Sequence, residues 1–216
     1  MNTLAILGAS GHGKVVADVA LAVGWRQVVF FDDAWPERRR NGPWDIAGPS
    51  SRLLADMPAF DGVIVAIGHN ATRWDKHRWL CEAGANLVTL VHPTATVSRF
   101  ARIGAGSVLM AGTVVNVDAE LGEASIVNTG ATIEHDGRLG HGVHASPGVH
   151  LAGDVAVGAL SWLGIGSVVR QGVRIGQGVT VGAGAVVVRD VADGMTVIGV
   201  PARPLGTASS QRGPSC

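Results

Sequence analysis

Four histidines, His135, His141, His144 and His150, fall close together in a chain of 216 residues that has 8 in all, and Glu134 and Asp136 flank the first of them. Imidazole titrates near neutrality, so it suits the task of taking a proton from an attacking group at working pH. A neighbouring carboxylate orients the ring and stabilises its protonated form, which makes Asp136 the partner expected for His135. The chemistry that fits is acyl transfer to an amine, which must lose a proton as the tetrahedral centre forms. The developing oxyanion then needs backbone N–H donors, and glycine-rich corners can present them. No Ser-His-Asp nucleophile pattern is apparent, so direct attack without an acyl-enzyme is expected. A lone surface histidine is more often idle than functional; four beside carboxylates shift that balance.

These residues sit inside a repeat that must position them. Read in sixes from Val91, the sequence keeps its register without a slip to Ala192. The first position of each hexad is a large aliphatic residue from Val91 through Val187, Ala145 excepted, and the fifth is always Ala, Ser, Thr, Gly or Val. A period of six fits neither an α-helix nor a helix–strand alternation, but it fits a chain that turns a corner every six residues. Three short strands then close one coil. Glycine returns every 18 residues at Gly104, Gly122, Gly140, Gly158 and Gly176, as a corner needing positive φ or close backbone approach would require. His135 and His141 hold the third hexad position, so both should point outward. A two-sheet sandwich would place turn signals at irregular spacings, which the hexad register argues against.

The first ninety residues read differently. Leu4 to Leu7 is a buried strand, followed by Gly8-Ala9-Ser10-Gly11-His12-Gly13-Lys14 and the apolar-periodic Val15, Val16, Val19 and Ala20. That pattern is strand, glycine turn, helix. Val28 to Phe31 forms a second strand ending in Asp32-Asp33, Gly62 to Ile67 a third ending in Gly68-His69-Asn70, Ala71 to Ala83 a helix, and Asn86 to Val91 a last strand. The order β-α-β-β-α-β predicts a small, mostly parallel α/β domain over 1–90, ahead of a β-helix over 91–192 and a C-terminal segment over 193–216. Glycines at such a turn let N–H groups approach a phosphate at a helix N-terminus. The P-loop pattern fails because Val15 follows Lys14, and Gly8, Gly11 and Gly13 miss the dinucleotide spacing. The acidic pair at the second strand end favours a nucleotide-sugar site.

Composition narrows the partners. Seventeen basic residues balance seventeen acidic ones, so no global charge draws the chain to nucleic acid or an anionic membrane. The apolar stretch at Leu4–Leu7 is too short for a signal core or a span. Cys81 and Cys216 do not suggest a disulfide framework, and a reducing cytoplasm is the expected location. The small polar residues from Gly206 to Cys216 suggest a disordered end.

The hexad period resembles the hexapeptide-repeat family, whose members form left-handed parallel β-helices and commonly trimerise; the usual crossover rule would have favoured the opposite hand. The resemblance becomes specific in Asn128-Thr129-Gly130-Ala131-Thr132-Ile133-Glu134-His135-Asp136, His144-Ala145-Ser146-Pro147-Gly148, Leu151-Ala152-Gly153, the opening GASGHGK, Asp32-Asp33 and the closing Gly199-Val200-Pro201-Ala202-Arg203. Together these resemble the sialic-acid O-acetyltransferase and bacillosamine and perosamine N-acetyltransferase type of sugar acetyltransferase, over residues 4–205. The resemblance implies an α/β Rossmann-like domain followed by an all-β left-handed parallel β-helix. It implies acetyl-CoA as cosubstrate, no metal, and a nucleotide-linked amino sugar as acceptor. His135 would accept the proton from the sugar C4 amine, with Asp136 supporting it in place of the family's frequent Glu. Ser10, Gly11 and His12 would hold the diphosphate, Asp32, Asp33 and Gly68 would surround the base and ribose, and Asn128 would stand near the reacting centre. His144 and Gly153 would contact acetyl-CoA near its thioester, with Ile165 and Ala183 along the pantetheine. A homotrimer with active sites between subunits follows from the same resemblance. Three rivals remain open from sequence: O-acetylation of a sialic-acid-like sugar, a γ-class zinc carbonic anhydrase on the same fold, and a noncatalytic sugar-nucleotide-binding scaffold.

Overall fold

The computed structural model describes residues 2–205; the tail from Gly206 to Cys216 lies outside the described residues. The chain begins with β1 (Thr3–Leu7), α1 (Gly11–Ala22) and β2 (Gln27–Phe31), continues through β3 (Arg40–Asn41), β4 (Trp44–Gly48) and α2 (Ser50–Asp56), and then β5 (Gly62–Val65) and α3 (Asn70–Glu82). The sheet order is β3-β4-β2-β1-β5, parallel throughout except for the β3–β4 hairpin. Strand β1 is buried on both faces, as expected of a parallel strand covered on two sides. Leu4 and Ile6 pack with Val16, Ala17 and Ala20 of α1, whereas Ala5 and Leu7 meet Leu53 of α2 and Leu80 of α3. The β3–β4 hairpin and α2 are absent from the sequence reading. Asp45 and Gly48 interrupt the alternation in β4, and a two-residue β3 carries no periodic signal. The strand expected over Asn86–Val91 shrinks to Leu90–Val91, which already belongs to the β-helix, with Leu87 making one bridge to Val63.

From Leu90 onward the chain coils. Each rung is a two-residue strand formed by the sixth residue of one hexad and the first of the next. Rungs 18 residues apart pair in parallel, as Val115 with Ile133 and Leu121 with Leu139. Sheet I runs from Leu90–Val91 to Thr196–Ile198 and Arg203–Pro204, sheet II from Thr96–Val97 to Val186–Val187, and sheet III from Arg102–Ile103 to Arg174–Ile175. The first-position side chains, among them Leu109, Ile133, Leu151, Leu163 and Ile175, fill the prism together with fifth-position Ala119, Val143 and Val155. Two kinds of corner glycine emerge. Positive φ belongs to the fourth hexad position, at Gly106, Gly130 or Gly142, and also at Asp118, Ala124, Asp136, Asp154 and Leu160. The 18-spaced glycines are needed for closeness instead: a Cβ at Gly104 would lie 2.4 Å from the Glu123 nitrogen of the next coil, and one at Gly122 2.5 Å from that of His141. Sheet I's outer face is covered by the α/β domain, because Leu90, Val108, Met110 and Ile126 join the core on the α1 side of the parallel sheet.

Candidate active site

His135 and Asp136 occupy the corner between sheets II and III, between rungs Thr132–Ile133 and Arg138–Leu139. Asp136 adopts φ 60°, one of the left-handed fourth positions, and its Oδ2 lies 2.7 Å from His135 Nδ1. The other ring nitrogen faces Gly153, one coil further on. A Cβ at Gly153 would stand 2.4 Å from His135 Nε2, so only glycine leaves room for this ring orientation. The Asp136 hydrogen bond raises the His135 pKa above the ordinary 6.5, helped by the charges of Asp136, Glu134 and Asp154 against slight desolvation. Asn116 Nδ2 donates to Glu134 at 2.6 Å, and Arg174 clasps both oxygens of Asp154. The His135 side chain remains 53% exposed. The arrangement is a base of raised basicity, its ring held on one nitrogen by a carboxylate and backed by glycine.

The second group lies at the carboxyl ends of β1, β2 and β5, where ligands of open parallel sheets bind. Gly8 takes φ 112°, and a Cβ at Gly13 would lie 2.3 Å from the Gly8 oxygen, so this turn and the close seating of α1 both demand glycine. Ser10 precedes α1 with its hydroxyl uncommitted to a cap, and Gly11 opens the helix with free space around it. A pocket of about 230 Å³ is lined by Gly8, Ser10, Asp32, Asp33, Thr72 and Lys76, among others. Asp32 accepts from the N–H groups of Ala9 and Ala34, at 2.6 and 2.8 Å, and thereby ties the glycine turn to its own loop. Burial raises the Asp33 pKa, but hydrogen bonds from Ser50 and Lys76 and the Lys76 charge outweigh it and hold the carboxyl at about 2.

A third group forms the seam between domains. His144 points outward from sheet I and is buried against His12, their rings 6.3 Å apart between centroids, with Asn128 Nδ2 3.3 Å from His144 Nε2. Burial first, and the Arg73 charge second, lower His12 to about 4 and His144 to about 3, so both rings are neutral. His12 Nε2 and His144 Nδ1 are buried without a hydrogen-bond partner in the chain. Across the N-terminus of α3 lies a second cleft of about 470 Å³, lined by Gly68, His69, Asn70, Leu160, Trp162 and Thr180, among others. Ile165 and Ala183 share the corner between sheets I and II, both exposed.

The expected residues therefore gather in four places: His135, Asp136 and Gly153 on one corner; Ser10, Gly11, Asp32 and Asp33 at the parallel sheet; His12, His144 and Asn128 in the seam beside Gly68; and Ile165 with Ala183 on another corner. The II–III corner is the prism edge opposite sheet I, so one chain does not bring its base to its own pocket. His141, expected to point freely outward, stacks on Trp74 with ring centroids 4.0 Å apart, and His150 is exposed beside Thr132. Sequence reasoning missed Thr72, Lys76 and Arg73. The signal available for Arg73 was polar Asn70, Arg73 and His77 at helical spacing, where an amphipathic helix would present its apolar stripe.

Among the described residues no group of three or more His, Cys, Asp or Glu is placed to hold a metal ion. Fold and site define a β-helical transferase that carries a Rossmann-like domain on one face. Residues 3–80 match the PglD N-terminal domain. The chain is 35% identical over 117 residues to the UDP-N-acetylbacillosamine N-acetyltransferase of Bacillus subtilis, a match spanning 51% of this chain and about half of that relative's length, 52%. It is 44% identical to the acetyltransferase domain of PglB from Neisseria gonorrhoeae in complex with acetyl coenzyme A, covering 94% of this chain and 99% of that one with a TM-score of 0.91. Perosamine N-acetyltransferase from Caulobacter crescentus, solved with CoA and GDP-perosamine, is 38% identical with a TM-score of 0.91, over 95% of this chain and 98% of that one. The chain belongs to the hexapeptide-repeat sugar acetyltransferase family of bacillosamine and perosamine N-acetyltransferase type, and its β-helix is left-handed.

Proposed function

We propose that the protein transfers an acetyl group from acetyl-CoA to the C4 amine of a nucleotide-linked 4-amino-4,6-dideoxy sugar. The observation that carries the mechanism is the His135–Asp136 pair, 2.7 Å from Nδ1 to Oδ2, with the raised basicity it gives His135. The sugar amine attacks the thioester carbonyl, His135 takes the amine proton, and collapse of the tetrahedral centre expels CoA as the thiol. Asp136 stabilises the imidazolium formed on the way. Backbone N–H of Gly153, beside the ring, is placed to meet the developing oxyanion. Ser10, Gly11 and His12 hold the diphosphate, Asp32, Asp33 and Gly68 surround base and ribose, and Asn128 faces the reacting centre. His144, Ile165 and Ala183 line the acetyl-CoA path.

Because the base and the pocket lie on opposite sides of one prism, a working site needs a second subunit. A homotrimer with active sites between subunits supplies it. The nucleotide is read as UDP, after the Bacillus relative, with GDP the second reading after the Caulobacter one. We place the activity in the cytoplasm, in the making of surface-glycan or glycoprotein sugars; no helix among the described residues is long and apolar enough to cross a membrane. The N-acetyltransferase relatives favour an amine acceptor over the O-acetyl, carbonic anhydrase and scaffold readings. The test is a panel of UDP-, GDP- and dTDP-linked 4-amino sugars with acetyl-CoA, followed by free-thiol release. Turnover restricted to one nucleotide identifies it, and no release with any of them sinks the proposal.

A further inference from the structure

Helix α3 reads the corner between sheets III and I coil by coil. Asn70 Nδ2 donates to the Leu160 and Ser161 carbonyls, each at 3.0 Å. Three residues on, Arg73 Nε reaches the Ala124 carbonyl at 2.8 Å and Nη2 the Gly142 carbonyl at 2.7 Å. His77 then packs over Gly106 and approaches Glu123 at 3.4 Å. The contacts step along 160, 142, 124 and 106, one coil at a time. An α-helical pitch of about 5.4 Å is near enough to a strand spacing of about 4.8 Å for three turns to keep step. Ala124, Gly142 and Leu160 are all left-handed fourth positions, and their carbonyls are the corner groups that α3 satisfies.

Arg73 stands at the centre of this seam and is 1% exposed. Its remaining donors go to the Ile67 and Gly68 carbonyls, at 3.0 and 3.1 Å, and to Asn70 Oδ1 at 3.0 Å. Every guanidinium nitrogen is bonded, and none of the partners is a carboxylate. A buried arginine is ordinarily matched by an acid, since leaving the charge unpaired is costly. Here the fork's geometry is what is used: one planar group holds the strand end at Ile67–Gly68 and two successive coils of the β-helix. Ile67 lines the pocket beneath Asp32 and Asp33, Gly68 lines the second cleft, and Gly142 lies two residues before His144.

We propose that Arg73 is a positioning residue for acetyl transfer: it sets how far along the β-helix the nucleotide-sugar half-site lies, and so the register between the acceptor amine and the thioester. This rests on the acetyl-transfer reading above. The two ligands bind to different domains, so a slip in the seam leaves each binding site whole and misaligns their reacting atoms. A misplacement of about 1 Å remote from the chemistry can cost about 10²-fold in rate.

The test compares full-length wild type, Arg73→Lys and Arg73→Met. Steady-state kcat is measured by thiol release, and binding of CoA alone and of UDP or GDP alone by calorimetry. We expect kcat to fall about tenfold in Arg73→Lys and about 10²-fold in Arg73→Met, while both dissociation constants stay within about twofold of wild type. Should Arg73→Met not fold, Asn70→Ala removes one Arg73 acceptor and two corner bonds and should show the same split at smaller size. Unchanged kcat in the folded variants overturns the proposal, as does a parallel weakening of kcat and both binding constants, which marks general loosening. An inactive wild type overturns the acetyl-transfer reading and this inference together. An active wild type with unimpaired variants overturns the inference alone.

Discussion

The β-helix and the α/β domain carry their functional residues in opposite ways. On the β-helix His135 sits at a third hexad position, outside the prism, while Ile133 and Leu139 on either side fill the core. The coil would close with almost any residue there. In the α/β domain the same side chains serve the pocket and the scaffold: Asp32 holds Ala9 and Ala34, and Asp33 holds Ser50 and Lys76. Repetition separates chemistry from folding, because a corner side chain is not shared with the next rung's pairing. A unique loop has no spare positions, so recognition and folding draw on one set of groups.

That contrast can be broken by mutation. Replacing His135 with Ala should lower kcat by about 10²-fold or more, the usual scale for a lost general base. Its thermal stability should hardly change, since an exposed substitution stays within about 0.5 kcal/mol. A loss of stability as large as the loss of rate would end the distinction. Asp32→Ala should behave otherwise: it removes a carboxylate from two backbone donors, worth about 1.5–3 kcal/mol of stability, and it weakens nucleotide-sugar binding more than acetyl-CoA binding. Urea unfolding and the two KM values report these separately, and equal KM losses would count against the division of labour.

A smaller effect lies in the seam, where the two regions share His12 and His144. Both are held neutral, with pKa values of about 4 and about 3 against an ordinary 6.5. The unfolded chain takes up protons that the folded one refuses, so this stability is complete above pH 6.5 and declines as pH falls toward 4. The slope is roughly 1 kcal/mol per pH unit for each ring. Melting temperatures measured from pH 7 to 4 should trace that decline, and His12→Gln should flatten it. The smallest effect belongs to the corner. Because Asp136 raises the His135 pKa, the acidic limb of the kcat profile lies above that of an ordinary histidine, and activity appears as the ring loses its proton with rising pH. Asp136→Asn should move this limb to lower pH; a limb that stays in place would detach Asp136 from the base.

Much of this was legible before any coordinates. The hexad register from Val91 to Ala192 implies in-register rungs 18 residues apart, because a constant period leaves no other pairing in step. His135 and Asp136 are neighbours in sequence, so their partnership needed only a turn that brings the carboxylate back over the ring. The β3–β4 hairpin and α2 were not legible, since short, partly buried segments lack a period to read. The reason for the 18-spaced glycines was legible only as a choice, and the distances between coils decided for close approach over positive φ.

What the sequence determined by itself is what repeats or is adjacent: the coil, its filled interior, the strand–glycine turn–helix opening and a histidine beside its carboxylate. Only the tertiary structure showed that Gly153 makes room for the His135 ring, that His144 lies neutral against His12, that His141 is spent under Trp74, and that Arg73 fastens two domains through carbonyls alone. These contacts join residues that are distant in the chain and obey no period, so they are settled by how the two domains pack and not by local pattern.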